Sequence, residues 1–277
     1  MRFLIAAISV LPFASCVPAP PVRPVSKPPV VKNALPATVA PSASAPLSTP
    51  ASSPHFTREE FSAITFEGVA FDSRNHHLVV ADQANGPGSQ FADAASAGKA
   101  RGGIVAVNAG FFTPEGAPLG QVVSAGKISG SWNAASSLGS GIWYEENSGN
   151  SAITRREKLG RAAASSMREL IQAGPLLIEN GQPISGLEAT KTSARSIILW
   201  DGGTRWWIGR SSPCTLASLG QSLASAQPAG WKIHQALNLD GGRSADLWIS
   251  ATIAGEPIVR RQPWNRPVRN FLVLVPQ

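Results

Sequence analysis

Three side chains in this sequence combine the type and placement that chemistry needs: Asp240, Asn108 and Arg195. Asp240 lies in Ala236–Ile249, ALNLDGGRSADLWI, where an apolar run ends in a carboxylate followed by Gly241 and Gly242. Such a junction is where a buried strand surfaces and a loop can present reactive groups. A carboxylate there can stabilise an oxocarbenium-like centre, act as a nucleophile or activate water. The same Asp-Gly-Gly is also a turn, its carboxylate accepting from backbone amides. Asn238 sets a carboxamide close by, and the two glycines leave the main chain bare for close approach. Asn108 ends the apolar run of GGIVAVNAGFFTPEGAPLG. Its amide can orient water or meet a hydroxyl, or it can satisfy a strand-ending turn. Gly110 and Phe111 then shape a pocket floor, with ring stacking or core packing open to the phenylalanine. The planar fork of Arg195 suits a phosphate diester, or it is an exposed strand-edge arginine. Arg269 has the same two readings. Arg243 adds a cation beside Asp240, to bind a ligand or to pair with that carboxylate.

Other chemistries lack their signatures. There is no P-loop, no G-x-S-x-G elbow and no H-E-x-x-H. The histidines are His55, His76, His77 and His234, with no spacing suited to metal ligands. No cofactor is implied. Asp240, Asn238 and backbone carbonyls can hold a hard cation, but no ligand set is readable. Of the cysteines Cys16 and Cys214, the second reads as a buried, inert thiol near a helix start.

The ordered set Asn108–Phe112, Gly120, Gly126, Gln172–Ile178, Asn180–Gly181, Arg195, Thr215–Leu223, Ala236–Gly242 and Arg269–Asn270 resembles the phosphodiester glycosidase family. The likeness spans nearly everything after about residue 60. It implies hydrolysis of a glycosyl-1-phosphodiester, with Asp240, Asn108 and Arg195 catalytic. It implies that Gly110, Phe111, Asn238, Gly241, Gly242, Arg243, Arg269 and Asn270 bind substrate. The chain departs from the family where a third glycine and serines usually follow LDGG: here stand Arg243, Ser244 and Ala245. Arg195-Ser196 replaces the usual Arg-Thr. A phosphate monoester leaves as a stable anion, so one carboxylate and one or two arginines can suffice where other glycosidases need a second acid. Glu115 is the nearest second carboxyl in sequence. A non-catalytic glycan-binding module and an ordinary O-glycosidase remain the alternatives.

The elements that must position these groups read as short strands with few helices. Thr57 and Glu60 have capping-box spacing, flanked by Phe56 and Phe61, and predict a helical turn. Strands are predicted at Ile64–Phe71, His77–Ala81, Ile104–Val107, Gly141–Tyr144, Ser151–Arg155, Pro175–Glu179, Ser196–Trp200, Arg205–Gly209, Ala236–Leu239, Asp246–Ser250 and Phe271–Val275. Asn180-Gly181 marks a hairpin turn. Helices are predicted over Gln90–Lys99, Ser165–Gln172 and from Thr215 to about Ala226. The balance is α+β, a single domain of largely antiparallel or mixed sheets flanked by helices.

Residues 1–16 read as a secretory signal: Arg2, an apolar stretch too short to span a bilayer, then Phe13-Ala14-Ser15-Cys16. That tetrapeptide resembles a lipobox, with phenylalanine where leucine is usual, and predicts lipidation of Cys16. Ordinary cleavage to a soluble secreted protein is the alternative. Residues 17–54 hold 11 of the 23 prolines and no acid, and read as a disordered tether. The domain then spans 55–277. The net charge of +7 is partly owed to the first 54 residues, whose Arg2, Arg23, Lys27 and Lys32 meet no acid. No basic run interleaves with aromatics, so nucleic acid is not an expected partner. The expected partners are a glycan or glycosyl phosphate and, through the anchor, a bacterial envelope membrane.

Overall fold

Alternating apolar residues build three antiparallel sheets in the computed structural model, which describes residues 51–277. The expected signal, Cys16 and nearly all of the tether lie outside the described residues. The described residues, 51–277, lie within one compact unit. The first sheet has seven strands, in the order His55–Phe61, Ile64–Asp72, Arg205–Cys214, Ser193–Trp200, Gln235–Gly241, Leu176–Glu179 and Gln182–Pro183. The second runs Ile258–Arg261, Asp246–Ile249, Val105–Asn108, Asn270–Pro276 and His76–Asp82. The third runs Lys127–Ser129, Val122–Ser124, Glu169–Ala173, Gly141–Glu145 and Ser151–Arg155.

One apolar core is shared by all three. Val69, Trp206 and Ile208 come from the first sheet, Leu78, Val107 and Leu272 from the second, Val122, Trp143 and Ile171 from the third. Each sheet also carries helical cover on its other face. Helix Leu216–Ser225, capped by the Thr215 hydroxyl, sets Leu219 and Leu223 against Ile178, Ile197 and Trp207. Helix Ala94–Ala100, closed by an Asp93–Ser96 capping box, packs Ala94 and Ala97 on Ala106, Trp248 and Phe271. Two four-residue helices, Arg156–Leu159 and Arg161–Ala164, lie beside the third sheet. This is the α+β arrangement expected. Among the described residues, no helix is long and apolar enough to cross a membrane.

Two local expectations are overturned. The Thr57–Glu60 segment is an edge strand, not a helical turn: His55–Phe61 pairs with Ile64–Asp72 across a tight turn at Ser62 and Ala63. The Thr57 hydroxyl accepts from the Trp207 indole Nε1 at 2.8 Å instead of capping a helix. Within the predicted Ser165–Gln172 helix, Glu169–Ala173 is a fully buried central strand. The Glu169 carboxylate accepts from the Val80 and Ala125 amides at 2.9 and 3.1 Å, which ties it to the His76–Asp82 strand and to the turn after Val122–Ser124.

Candidate active site

Asp240 and Arg195 arrive at one corner of the first sheet on adjacent strands. Their register is broken there. Arg195 faces Gly241 while Ile197 faces Asn238, so three steps on one strand match two on the other and Leu239–Asp240 forms a bulge. On the other side of Arg195 the register with Arg205–Cys214 also shifts, between Ser193 and Arg195. Bulges re-aim side chains and cluster beside functional sites. Here the extra residue puts a glycine, not Asp240, directly opposite Arg195. A Cβ on Gly241 would stand 2.6 Å from the Ala194 carbonyl oxygen and 3.5 Å from Arg195 Cδ. The bare position therefore lets the arginine stem lie across the strand. Gly242 then turns the chain away at φ +60°.

Asp240 and Arg195 are neighbours that do not close into an ion pair. Burial pushes the Asp240 carboxyl up to about 6, opposed by the Ser244 hydroxyl, the Gly241 amide and the Arg195 charge. The Gly241 amide donates to Oδ1 at 2.8 Å. Arg195 Nη2 donates to the Lys191 carbonyl at 2.9 Å, while its Nε is buried without a partner. An elevated carboxyl and an under-used guanidinium in one corner can bind and act on an anion.

The second sheet locks this corner. Asn108, fully buried, donates from Nδ2 to the Asp240 carbonyl at 2.7 Å. Its Oδ1 accepts from the Asp246 amide at 3.0 Å and from the Ser196 hydroxyl. Both amide atoms are thus engaged with protein, and Asn108 joins two sheets beneath Asp240. Asn270 holds the following loop: its Oδ1 accepts from the Gly110 amide at 2.7 Å, and its Nδ2 is buried and unpartnered. Asn238 donates to the Gly174 carbonyl at 2.8 Å and keeps an unpartnered buried Oδ1.

Arg269 belongs to a different environment. It is 6 % exposed, forks onto both Asp82 oxygens at 2.8 and 3.0 Å, and reaches the Gly116 carbonyl at 3.2 Å. Its expected contact with substrate is replaced by a buried structural pair. Phe111 packs against the shared core, and Phe112 against the helix Ala94–Ala100 side of the second sheet. Arg243 does not pair with Asp240; it is exposed, with Nη2 3.3 Å from the Trp264 carbonyl. Glu115 is exposed, held below its ordinary range by the Thr113 hydroxyl. Cys214 is buried, its thiol pushed up by burial. Ser244 was read in the sequence only as part of the departure after Gly242. It sits four residues past Asp240, and the glycine turn brings its hydroxyl back to that carboxyl.

The family model for phosphodiester glycosidases matches residues 101–275, which contain every residue of this corner. The chain belongs to that family. No curated protein matches it by sequence. Among solved structures, the zebrafish N-acetylglucosamine-1-phosphodiester α-N-acetylglucosaminidase catalytic domain, auto-inhibited by its pro-peptide, is similar at TM-score 0.55 and 16 % identity, over 81 % of this chain and 83 % of that one. A hypothetical protein from Synechocystis is similar at 0.51 and 17 %, over 81 % of this chain and 61 % of that one. A putative exported protein from Burkholderia pseudomallei is similar at 0.51 and 13 %, over 77 % and 74 %. At these identities the structural likeness speaks for the fold.

Proposed function

We propose that this phosphodiester glycosidase family member hydrolyses a glycosyl-1-phosphodiester at Asp240. The observation that carries the reading is the bulged corner itself, where an elevated carboxyl and an unpaired guanidinium stand side by side. Arg195 would hold the phosphate by its fork. Asp240 would act as base or nucleophile at the anomeric carbon. As base, it takes a proton from water, the water oxygen bonds to that carbon, and the bond from carbon to phosphate oxygen breaks. The phosphate monoester then departs with the bond electrons, already charged and without need of a strong acid. Asn108 and Asn270 act as positioning residues, fixing the carbonyl of Asp240 and the Gly110 amide. The Arg243 position, where relatives usually carry glycine, is what favours a second reading, a glycan binder without turnover.

The test is Asp240→Asn assayed on the methyl diester of α-N-acetylglucosamine-1-phosphate, the linkage named for the zebrafish relative. Loss of about 10²–10⁴-fold in kcat with an unchanged melting curve is expected. Unchanged turnover rejects the role, and binding without turnover in the unmodified protein favours the binder. An aryl glycoside cleaved faster than the diester would make the chain an ordinary glycosidase. We further propose an envelope location through a lipid on Cys16. Cys16→Ser should release the protein from membranes, and continued tight association would reject the anchor.

A further inference from the structure

A groove opens beside Ser244, the hydrogen-bond neighbour of the Asp240 carboxyl, and is lined by two exposed arginines. Its near part is a cavity of about 290 Å³ lined by Phe112, Thr113, Pro114, Arg243, Ser244 and Arg266. Its far part, about 300 Å³, shares Phe112, Pro114 and Arg266 and continues to Pro87, Gly116 and Pro267. The two cavities therefore share a wall, of which Arg266 is part. Ser244 marks the inner end, because its hydroxyl lies beside the Asp240 carboxylate. Phe112 and the prolines give the groove a rigid apolar floor.

Two arginines and one acid, Glu115, line it. Arg243 is exposed, and its one hydrogen bond is the long contact to the Trp264 carbonyl. Arg266 is exposed and forms no ion pair among the described residues. The acid that faces the groove is Glu115, exposed and turned to the Thr113 hydroxyl. Contrast the nearby Arg261, which is closed onto Asp246 at 2.9 Å. Two guanidiniums outside any ion pair among the described residues, over an apolar floor that begins at Ser244, offer a place for a second negative charge.

We propose that Arg243 and Arg266 form an anion subsite for the leaving-group side of the substrate, selecting diesters whose alcohol portion carries a further phosphate. The proposal rests on the hydrolase reading above and specifies its substrate class: a diester with a second phosphate on its alcohol portion rather than an isolated diester. The aglycone lies along Phe112 and Pro114, and its distal phosphate reaches the two guanidiniums.

The experiment compares two diesters of α-N-acetylglucosamine-1-phosphate, one with methanol and one with glycerol 3-phosphate, at low and high salt. The expected result is a kcat/KM ratio of about tenfold favouring the phosphorylated aglycone at low salt, shrinking as salt screens the exposed charges. Arg243→Ala with Arg266→Ala should bring that ratio close to one. Both positions are exposed, so folding should survive, and a melting curve checks it. Arg195→Gln, by contrast, should lower both substrates together and leave the ratio. Calorimetric titration of the same two compounds reads the subsite without turnover. If neither compound is cleaved, the hydrolase reading falls and the affinity ratio alone decides the subsite. Equal kcat/KM and equal affinity in the unmodified protein, a ratio the substitutions leave alone, or no binding of either compound would each overturn it.

Discussion

Two arginine–aspartate neighbourhoods flank the 109–118 loop, and they are opposites. At one, Arg269 and Asp82 meet in a two-point fork, both about nine-tenths buried, with the Gly116 carbonyl taking a further donor. At the other, Arg195 and Asp240 lie close enough to feel each other's charge yet form no ion pair. The first is a closed pair and holds a loop to a strand. The second leaves a guanidinium nitrogen unpartnered and a carboxyl raised to about 6. Function should attach to the pair that geometry keeps apart, because only its groups have unmet demand for a charged ligand. In sequence the two arginines look alike, each leading into a strand; the difference is whether a carboxylate stands in register.

The sharpest way to break this contrast is to remove each arginine in turn. Arg269→Leu should lower stability by about 3–5 kcal/mol, since it strands a buried carboxylate. Denaturant unfolding reads this. Arg195→Gln should leave the unfolding curve nearly in place and reduce kcat/KM by about 10²–10³-fold, as for loss of one group that stabilises charge. The reverse assignment of effects would dissolve the distinction.

A smaller effect comes from pH. Asp240 must be ionised to serve as base or nucleophile, so kcat/KM should fall as pH drops through about 6. Stability should move the other way. The unfolded chain ionises this carboxyl from its ordinary 3.8, and the folded one only near 6, so the native state loses stability as pH rises between those values. Asp240→Asn should abolish that loss, while leaving other carboxyls to titrate. A rate profile that is flat from pH 5 to 7 would remove Asp240 from the ionised role.

The smallest effect is expected at Gly241. Alanine there forces the strand away from Ala194, for about 1–3 kcal/mol of stability. Its larger consequence should be on KM, because Arg195 loses the space across which it lies. An unchanged KM would show that the arginine is positioned by other contacts.

Much of this was legible in the residues. The turn at Asn180-Gly181 has positive φ at both positions, as Asn-Gly predicts, and the Thr215 cap forms its hydrogen bond. Asp240 and Arg195 stand on adjacent strands, and Asn108 is bonded to the Asp240 carbonyl. What was not legible depends on contacts distant in sequence. Thr57 and Glu60 have helical cap spacing, but strand pairing and the Trp207 indole claim the segment. The turn that closes that hairpin uses Ser62 and Ala63 at positive φ, residues that carry no turn signal. Glu169–Ala173 lacks a polar alternation because both of its faces are buried, and its helix-forming composition is overridden by its central place in a sheet. The separate fates of Arg195 and Arg269 were hidden for the same reason: Asp82 lies 187 residues from its partner.

The single inserted residue at Leu239–Asp240 has one more implication. In an unbroken ladder Asp240 would fall directly across from Arg195, and opposite charges so placed attract and neutralise each other. Deleting Leu239 would remove the extra residue, yet Gly241 would stay across from Arg195 and Asp240 would come to face Ser196. A one-residue slip reverses the face on which a strand side chain stands, so the side from which the proposed carboxylate acts is a matter of counting along the strand.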